Sequence, residues 1–300
     1  MVRLVAIVGP TGVGKTRLSI DLALAIGGEI INADSRQIYR HMDIGTAKPS
    51  KAEQAAVPHH LLDIITPDEE FSLALYKEKA LGAVEDISSR GKCPILVGGT
   101  GQYVWALVEG WTVPPIAPDI RFRAALEKEG RERGHDMLHR RLMEIDPESA
   151  KSIDPRNVRR VIRALEVWHS SGVPFSRWRQ KRKPAFDTVI VGLTQPRTEL
   201  YRGIDLRVDH MVGGGLIDEV SQLRELGYHV DLAPMTGIGY REISSYLENQ
   251  LDLESAVSRI KYRTHHLARR QYAWFGLDDG RIHWLRSDEH PLDAALALVS

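Results

Sequence analysis

VRLVAIVGPTGVGKT, residues 2 to 16, joins an apolar run directly to the spacing G-x-x-x-x-G-K-[ST]. Leu4 to Val8 is apolar throughout, as a strand covered on both faces requires. From Arg17 the chain reads RLSIDLALAI, with apolar residues at the three-to-four spacing of a helix, so the glycines lie where strand turns into helix. Gly9, Gly12 and Gly14 can take positive φ and carry no side chain, so the backbone can approach a polyphosphate closely. The amides of the loop and of the first helical turn then point at the anion. Lys15 adds a point charge, and the Thr16 hydroxyl is suited to a magnesium ion. The candidate phosphate cradle is therefore Gly9, Pro10, Thr11, Gly12, Val13, Gly14, Lys15 and Thr16.

Outward from this loop, three more apolar runs read as buried strands: Glu29 to Ala33, Pro94 to Val97 and Thr188 to Leu193. A helical pattern from Leu73 to Arg90 stops at Gly91. Strand, phosphate loop, helix, strand, helix, strand is the rhythm of an α/β fold, a P-loop parallel sheet with helices on both faces. After the proline-rich VPPIAP the rhythm changes to charged helical sequence without a convincing strand. The expected organisation is a first core part over 1–112, a helical insertion domain over 113–187, and a second core part over 188–300 that is mainly helical with one returning strand.

The 300 residues are 43% hydrophobic and 27% charged, ordinary for a soluble globular protein of about two domains. The first apolar run is too short for a signal peptide or a membrane span, and no other segment reaches spanning length. One cysteine, Cys93, excludes an internal disulfide and a Cys-rich zinc site, so a reducing cytoplasm is expected and no membrane partner. A monomer is the expected state. Net charge is zero, with 40 basic and 40 acidic residues, but its distribution is uneven. Lys151 to Lys183 holds ten Lys or Arg, Arg179 and Lys183 among them, against Asp154 and Glu166. Arg259 to Tyr272 holds five against no acid, with Tyr262, Tyr272 and Trp274 in or beside it. Basic clusters interleaved with aromatic residues suit a phosphate backbone and exposed bases.

Asp34 ends the run IINAD and should emerge at the same sheet edge as the phosphate loop. There it could hold magnesium, serve as general base, or simply cap the next turn. Ser35, Arg36 and Gln37 offer groups suited to a base edge. Thr100, in GGTG after the third strand run, is the small polar residue at that strand end. Arg207 and Arg202 are each candidates to close over a pyrophosphate. On these residues alone a small-molecule kinase or an RNA-binding ATPase would share the loop. Against both, no acid follows the PILV strand and the basic residues gather in regions remote in sequence from the loop.

Beyond the phosphate loop, the chain carries ADSRQIYRHMDIGTAKP (33–49), PHHLLDI (58–64), RGKCPILVGGTGQY (90–103), NVRRVIRALEV (157–167), DLRVDHMVGGGL (205–216), GIGYREI (237–243) and RRQYAWF (269–275). With these it resembles the tRNA dimethylallyltransferases of bacterial type over nearly its whole length. The resemblance implies transfer of a dimethylallyl group from dimethylallyl diphosphate to the exocyclic amine of the adenosine beside a tRNA anticodon. It implies that Lys15, Thr16 and Mg2+ stabilise the departing diphosphate with help from Arg207, that Asp34 accepts the amine proton, and that Thr100 helps to hold the flipped adenine. It further implies tRNA contacts at Asp34, Ser35, Arg36, Gln37, Thr100, Arg123, Val158, Arg159, Arg160, Val161 and Ile162. Arg269, Arg270 and Gln271 are expected contacts too, with Gln271 available for a base edge. Where relatives usually have glutamine before the G-Y-[KR]-E element, this chain has Thr236 and Gly237.

Overall fold

The computed structural model describes residues 2–178, 181, 182, 184 and 186–299. In chain order β1 (Val2–Val8) leads through the phosphate loop to α1 (Lys15–Ile26), and then to β2 (Gly28–Asn32), α2 (Lys51–Ala56) and β3 (His59–His60). There follow α3 (Leu73–Ser89), β4 (Cys93–Val97) and α4 (Gly101–Val108). Five helices come next: α5 (Ile120–Arg133), α6 (His135–Ile145), α7 (Pro147–Ser152), α8 (Val158–Ser171) and α9 (Phe175–Trp178). The chain then returns through β5 (Phe186–Thr194), α10 (Arg197–Gly213), α11 (Leu216–Glu225), α12 (Tyr240–Leu247), α13 (Leu253–Trp274), β6 (Ile282–Arg286) and α14 (Pro291–Val299).

Among the described residues six strands form one sheet in the order β3-β2-β4-β1-β5-β6, and every neighbouring pair is parallel. The apolar runs after residues 1, 28, 93 and 187 are the four central strands, as their unbroken hydrophobicity requires. Val5, Ile7, Ile95 and Val191 pack with Leu18 and Leu22 of α1. Leu4, Ala6, Leu96 and Ile190, which alternate with them, are also buried. Their face is opposite, the one that fits α3, which contacts β2 and β4. The second part of the core returns two strands, not one: IHWLR adds β6 beside β5. It and the two-residue β3 are edge strands, half-exposed on average, so neither carries the continuous apolar run that marks a central strand.

The chain divides into two compact units, Met1–Val108 with Pro184–Ser300, and Glu109–Lys183. Among its described residues the second has helices and connecting loops with one bridge between Trp111 and Lys181, where the Arg182 N–H also donates to the Gly110 carbonyl (2.9 Å). That bridge closes the two ends of the unit on each other. Leu126, Leu138, Leu142, Ile153, Val161, Ile162 and Leu165 form its own core. In the larger unit, Ile38, Met42, Val208, Leu216, Tyr240, Ile243 and Ile260 build a separate apolar cluster that ties α10, α11, α12 and α13 to the segment after β2. Among the described residues no helix is long and apolar enough to cross a membrane.

Candidate active site

Gly14, in the left-handed region at φ 95°, precedes α1 without a side-chain cap, so the first-turn N–H groups remain available to an anion. Gly9 (φ 139°) passes so close to the Leu193 carbonyl of β5 that a Cβ would overlap it. Lys15 folds back on its own loop, its Nζ donating to the carbonyls of Gly9 (3.0 Å) and Pro10 (2.8 Å). Burial lowers the Lys15 pKa to about 8; nearby Asp34 opposes that shift and nearby Arg207 adds to it. Arg207, from α10, donates from Nη1 to the Thr11 hydroxyl (3.4 Å), and burial lowers its pKa as well, again opposed by Asp34. Two cations and one carboxylate are thus held within electrostatic reach of each other at the carboxyl edge of the sheet.

Asp34 lies two residues past β2. Its N–H donates to Asn32 Oδ1 (2.9 Å) and its Oδ1 accepts from the Arg36 N–H (2.9 Å), so it does cap the following turn. The neighbouring strand end is locked to this turn. The Thr100 N–H donates to the Ala33 carbonyl (3.2 Å), the Ser35 N–H donates to Thr100 Oγ1 (3.0 Å), and the Thr100 hydroxyl donates to Ser35 Oγ (3.3 Å). A Cβ on Gly98 would overlap the Ala33 backbone, which explains the bare glycine between two strand ends this close. Beneath them the Tyr76 hydroxyl donates to the Asn32 carbonyl (3.1 Å), and the Tyr76 ring stacks on Tyr103 at 3.6 Å.

Lys15, Asp34, Ser35, Thr100 and Arg207 line one open cleft of about 1120 Å³. Its walls include Thr11, Lys15, Thr16, Asp34 to Gln37, Gly98 to Gln102, Arg207, Thr236 and Gly237. One helix face of α13, Tyr262, His266, Arg270 and Trp274, runs along it. Arg36 donates to the Ala233 carbonyl (2.9 Å), and Gln37 Nε2 to the carbonyls of Thr46 (3.1 Å) and Ala47 (3.0 Å), so both brace loops at the rim. The Thr236 hydroxyl donates to the Ala233 carbonyl (2.8 Å). Among the described residues no group of three or more His, Cys, Asp or Glu is arranged to hold a metal ion.

Several expectations need correction. Arg202 turns outward and pairs with Glu199 (3.0 Å), leaving Arg207 as the α10 arginine in the cleft. Gln271 is only 5% exposed and both ends of its amide are engaged, by the Thr11 N–H (2.7 Å) and the Gly99 carbonyl (3.2 Å), so it is not available for a base edge. Arg269 is exposed and lies against the His266 ring, whereas Arg270 lines the cleft. In the helical unit, Arg123 grips fully buried Glu166 through Nε (2.7 Å) and Nη2 (2.8 Å), and its own side chain stays partly exposed. Val161 and Ile162 are buried in that unit's core and present no side chain outside it, while Val158 is half-buried and Arg159 and Arg160 are exposed. Arg179 and Lys183 lie outside the described residues.

Sequence reasoning missed Glu219. Its carboxylate collects the N–H groups of Asp43 (2.8 Å), Ile44 (2.7 Å) and Gly45 (3.0 Å) and the Tyr240 hydroxyl (2.7 Å), pinning the loop that forms one wall of the cleft. The available signal was the close approach of Gly45 to Tyr240, legible only as a glycine in IGTAK.

The IPP transferase family profile matches residues 37–278, and the isopentenyl transferase profile matches residues 2–66. A tRNA dimethylallyltransferase of Roseiflexus sp. (strain RS-1) is 55% identical over 275 residues, 92% of this chain and 90% of that one. The crystal structure of a tRNA isopentenylpyrophosphate transferase from Bacillus halodurans is similar with a TM-score of 0.74 at 39% identity, over 100% of this chain and 96% of that one. A eukaryotic dimethylallyltransferase, described as acting on tRNA, is similar with a TM-score of 0.84 at 29% identity, over 100% of this chain and 79% of that one.

Proposed function

Because the chain belongs to the IPP transferase family of tRNA dimethylallyltransferases, we propose that its cleft brings dimethylallyl diphosphate and an anticodon adenine together for direct alkyl transfer. The protein is a tRNA-modifying prenyltransferase. In the proposed step the exocyclic amine nitrogen of the adenosine beside the anticodon bonds to the first carbon of the prenyl chain. The carbon–oxygen bond to diphosphate breaks, and the amine proton passes to Asp34. The observation that carries this reading is the convergence of Lys15, Arg207 and Asp34 in one cleft.

Each residue has a physical task. Diphosphate leaves only if its developing charge is met, which Lys15, Arg207 and the amides at the start of α1 are positioned to do. An amine hydrogen-bonded to a carboxylate becomes the better nucleophile, which is the role assigned to Asp34. Thr100 and Ser35 hold the Asp34 turn in place. A base stacked in an anticodon arm cannot reach this edge, so the adenine must be extruded into the cleft. Sparse protein donors fit Mg2+, which keeps several waters and takes much of its coordination from substrate phosphates. The Thr16 hydroxyl would help to hold the ion, whose chemistry is charge neutralisation at the diphosphate. The anticodon stem-loop is the proposed partner, the helical unit its clamp, and the cytoplasm the place of action.

Thermal-shift measurements with magnesium test the donor. Dimethylallyl diphosphate should raise the melting temperature in proportion to its binding, and stabilisation by ATP with none by dimethylallyl diphosphate would remove the transferase reading of this cleft.

A further inference from the structure

We propose that Gln271 is a positioning residue: its buried amide sets the spacing between the leaving-group cradle and the adenine pocket. This inference rests on the transfer reaction proposed above. Gln271 sits on α13 directly after Arg269 and Arg270, yet its side chain turns inward where theirs are exposed. A buried amide is costly unless both of its ends are bonded. Here the oxygen accepts from the Thr11 N–H at 2.7 Å and the nitrogen donates to the Gly99 carbonyl at 3.2 Å.

Those two partners belong to opposite halves of the reaction. Thr11 lies in the phosphate loop, and its hydroxyl accepts from Arg207, the second cation of the cradle. Gly99 precedes Thr100, which is hydrogen-bonded to Ser35, the neighbour of the proposed base Asp34. One side chain therefore spans from the diphosphate end to the adenine end. Glycine at 99 is part of the same device, because a Cβ there would overlap the Gln271 amide nitrogen.

The residue type also fits. The site needs one acceptor and one donor at the same distance from the backbone, which an amide supplies. A lysine could not accept from Thr11. A glutamate could not donate to Gly99 and would set a negative charge beside the diphosphate.

The test is steady-state prenylation of an anticodon stem-loop by the wild-type protein and by Gln271→Met and Gly99→Ala. Methionine keeps the length and removes both hydrogen bonds; alanine at 99 displaces the amide. A misplacement of about 1 Å between reactants costs about a hundredfold, so kcat should fall by that order in both variants. The KM values for both substrates should stay close to wild type, and the melting temperature should fall by several degrees at most, since each buried group left unpaired carries a desolvation cost. Wild-type kcat in either variant overturns the proposal, as does a loss confined to the KM for RNA, which would mean base reading. If both variants unfold, or lose melting temperature while keeping kcat per folded molecule, the role is structural only and the proposal is wrong. If the wild-type protein itself transfers nothing, the fault lies with the reaction proposed above.

Discussion

Asp34 holds a turn and faces the cleft at once, and the two duties are compatible because a carboxylate accepts about four hydrogen bonds. Replacing it by alanine should lower turnover by about a hundredfold or more while tRNA affinity holds, measured by single-turnover prenylation beside a binding titration; near-normal turnover would take Asp34 out of the chemistry. Lys15 makes the second prediction. Its folded pKa of about 8 lies below the unfolded value of about 10.4, so between these limits the free site sheds a proton that the unfolded chain keeps. Diphosphate favours the charged form, so binding there should take up a proton and weaken as pH rises past about 8. Calorimetry with inorganic diphosphate in buffers of different ionisation enthalpy should show this excess uptake in the wild type and not in Lys15→Arg. Equal uptake would place the titration elsewhere. Lys15, Asp34 and Thr100 were legible because loop spacing and strand ends announce the carboxyl edge of a sheet. Gln271 was misread because it directly follows two arginines, and nothing in RRQ says which residue faces the interior.

At the scale of elements, the four central strands and α1 and α3 were readable from period and apolar run, whereas β3 and β6 were not, since edge strands lack that pattern. The helical unit was readable as helical but not as a hub, because a buried Glu166 looks like any charge on a charged helix. Burial pushes the Glu166 carboxyl upward, yet the hydrogen bonds from Arg123 and Arg163 overcome it and hold the group below its ordinary value. A carboxyl depressed in the folded state adds stability that is present above the unfolded value of about 4.3 and is lost as pH falls through the folded one. Glu166→Gln takes the buried counter-charge from two partly exposed arginines and should cost this unit about 2 kcal/mol at neutral pH. Hydrogen exchange should then quicken within 109–183 while the sheet keeps its protection. Uniform quickening across the chain would show that the two units unfold together.

For the whole molecule, a net charge of zero conceals an uneven distribution: residues 109–183 carry a net positive charge and the remainder a net negative one, and basic helical surfaces are proposed to carry the RNA. Arg159 and Arg160, exposed at the start of α8, belong to that surface. Replacing both by alanine should weaken tRNA binding and flatten the slope of log K against log salt by about one for each phosphate no longer neutralised. An unchanged slope would mean that they face away from RNA. The central claim, that one cleft holds a prenyl diphosphate and an adenine amine together, is tested most directly by product analysis. The purified protein would be incubated with magnesium, dimethylallyl diphosphate and an anticodon stem-loop, and the digested nucleosides weighed by mass spectrometry. One dimethylallyl group on the exocyclic nitrogen of the adenosine beside the anticodon, with one diphosphate released per modified loop, is the expected result; unmodified adenosine under conditions where the protein binds both substrates would contradict it.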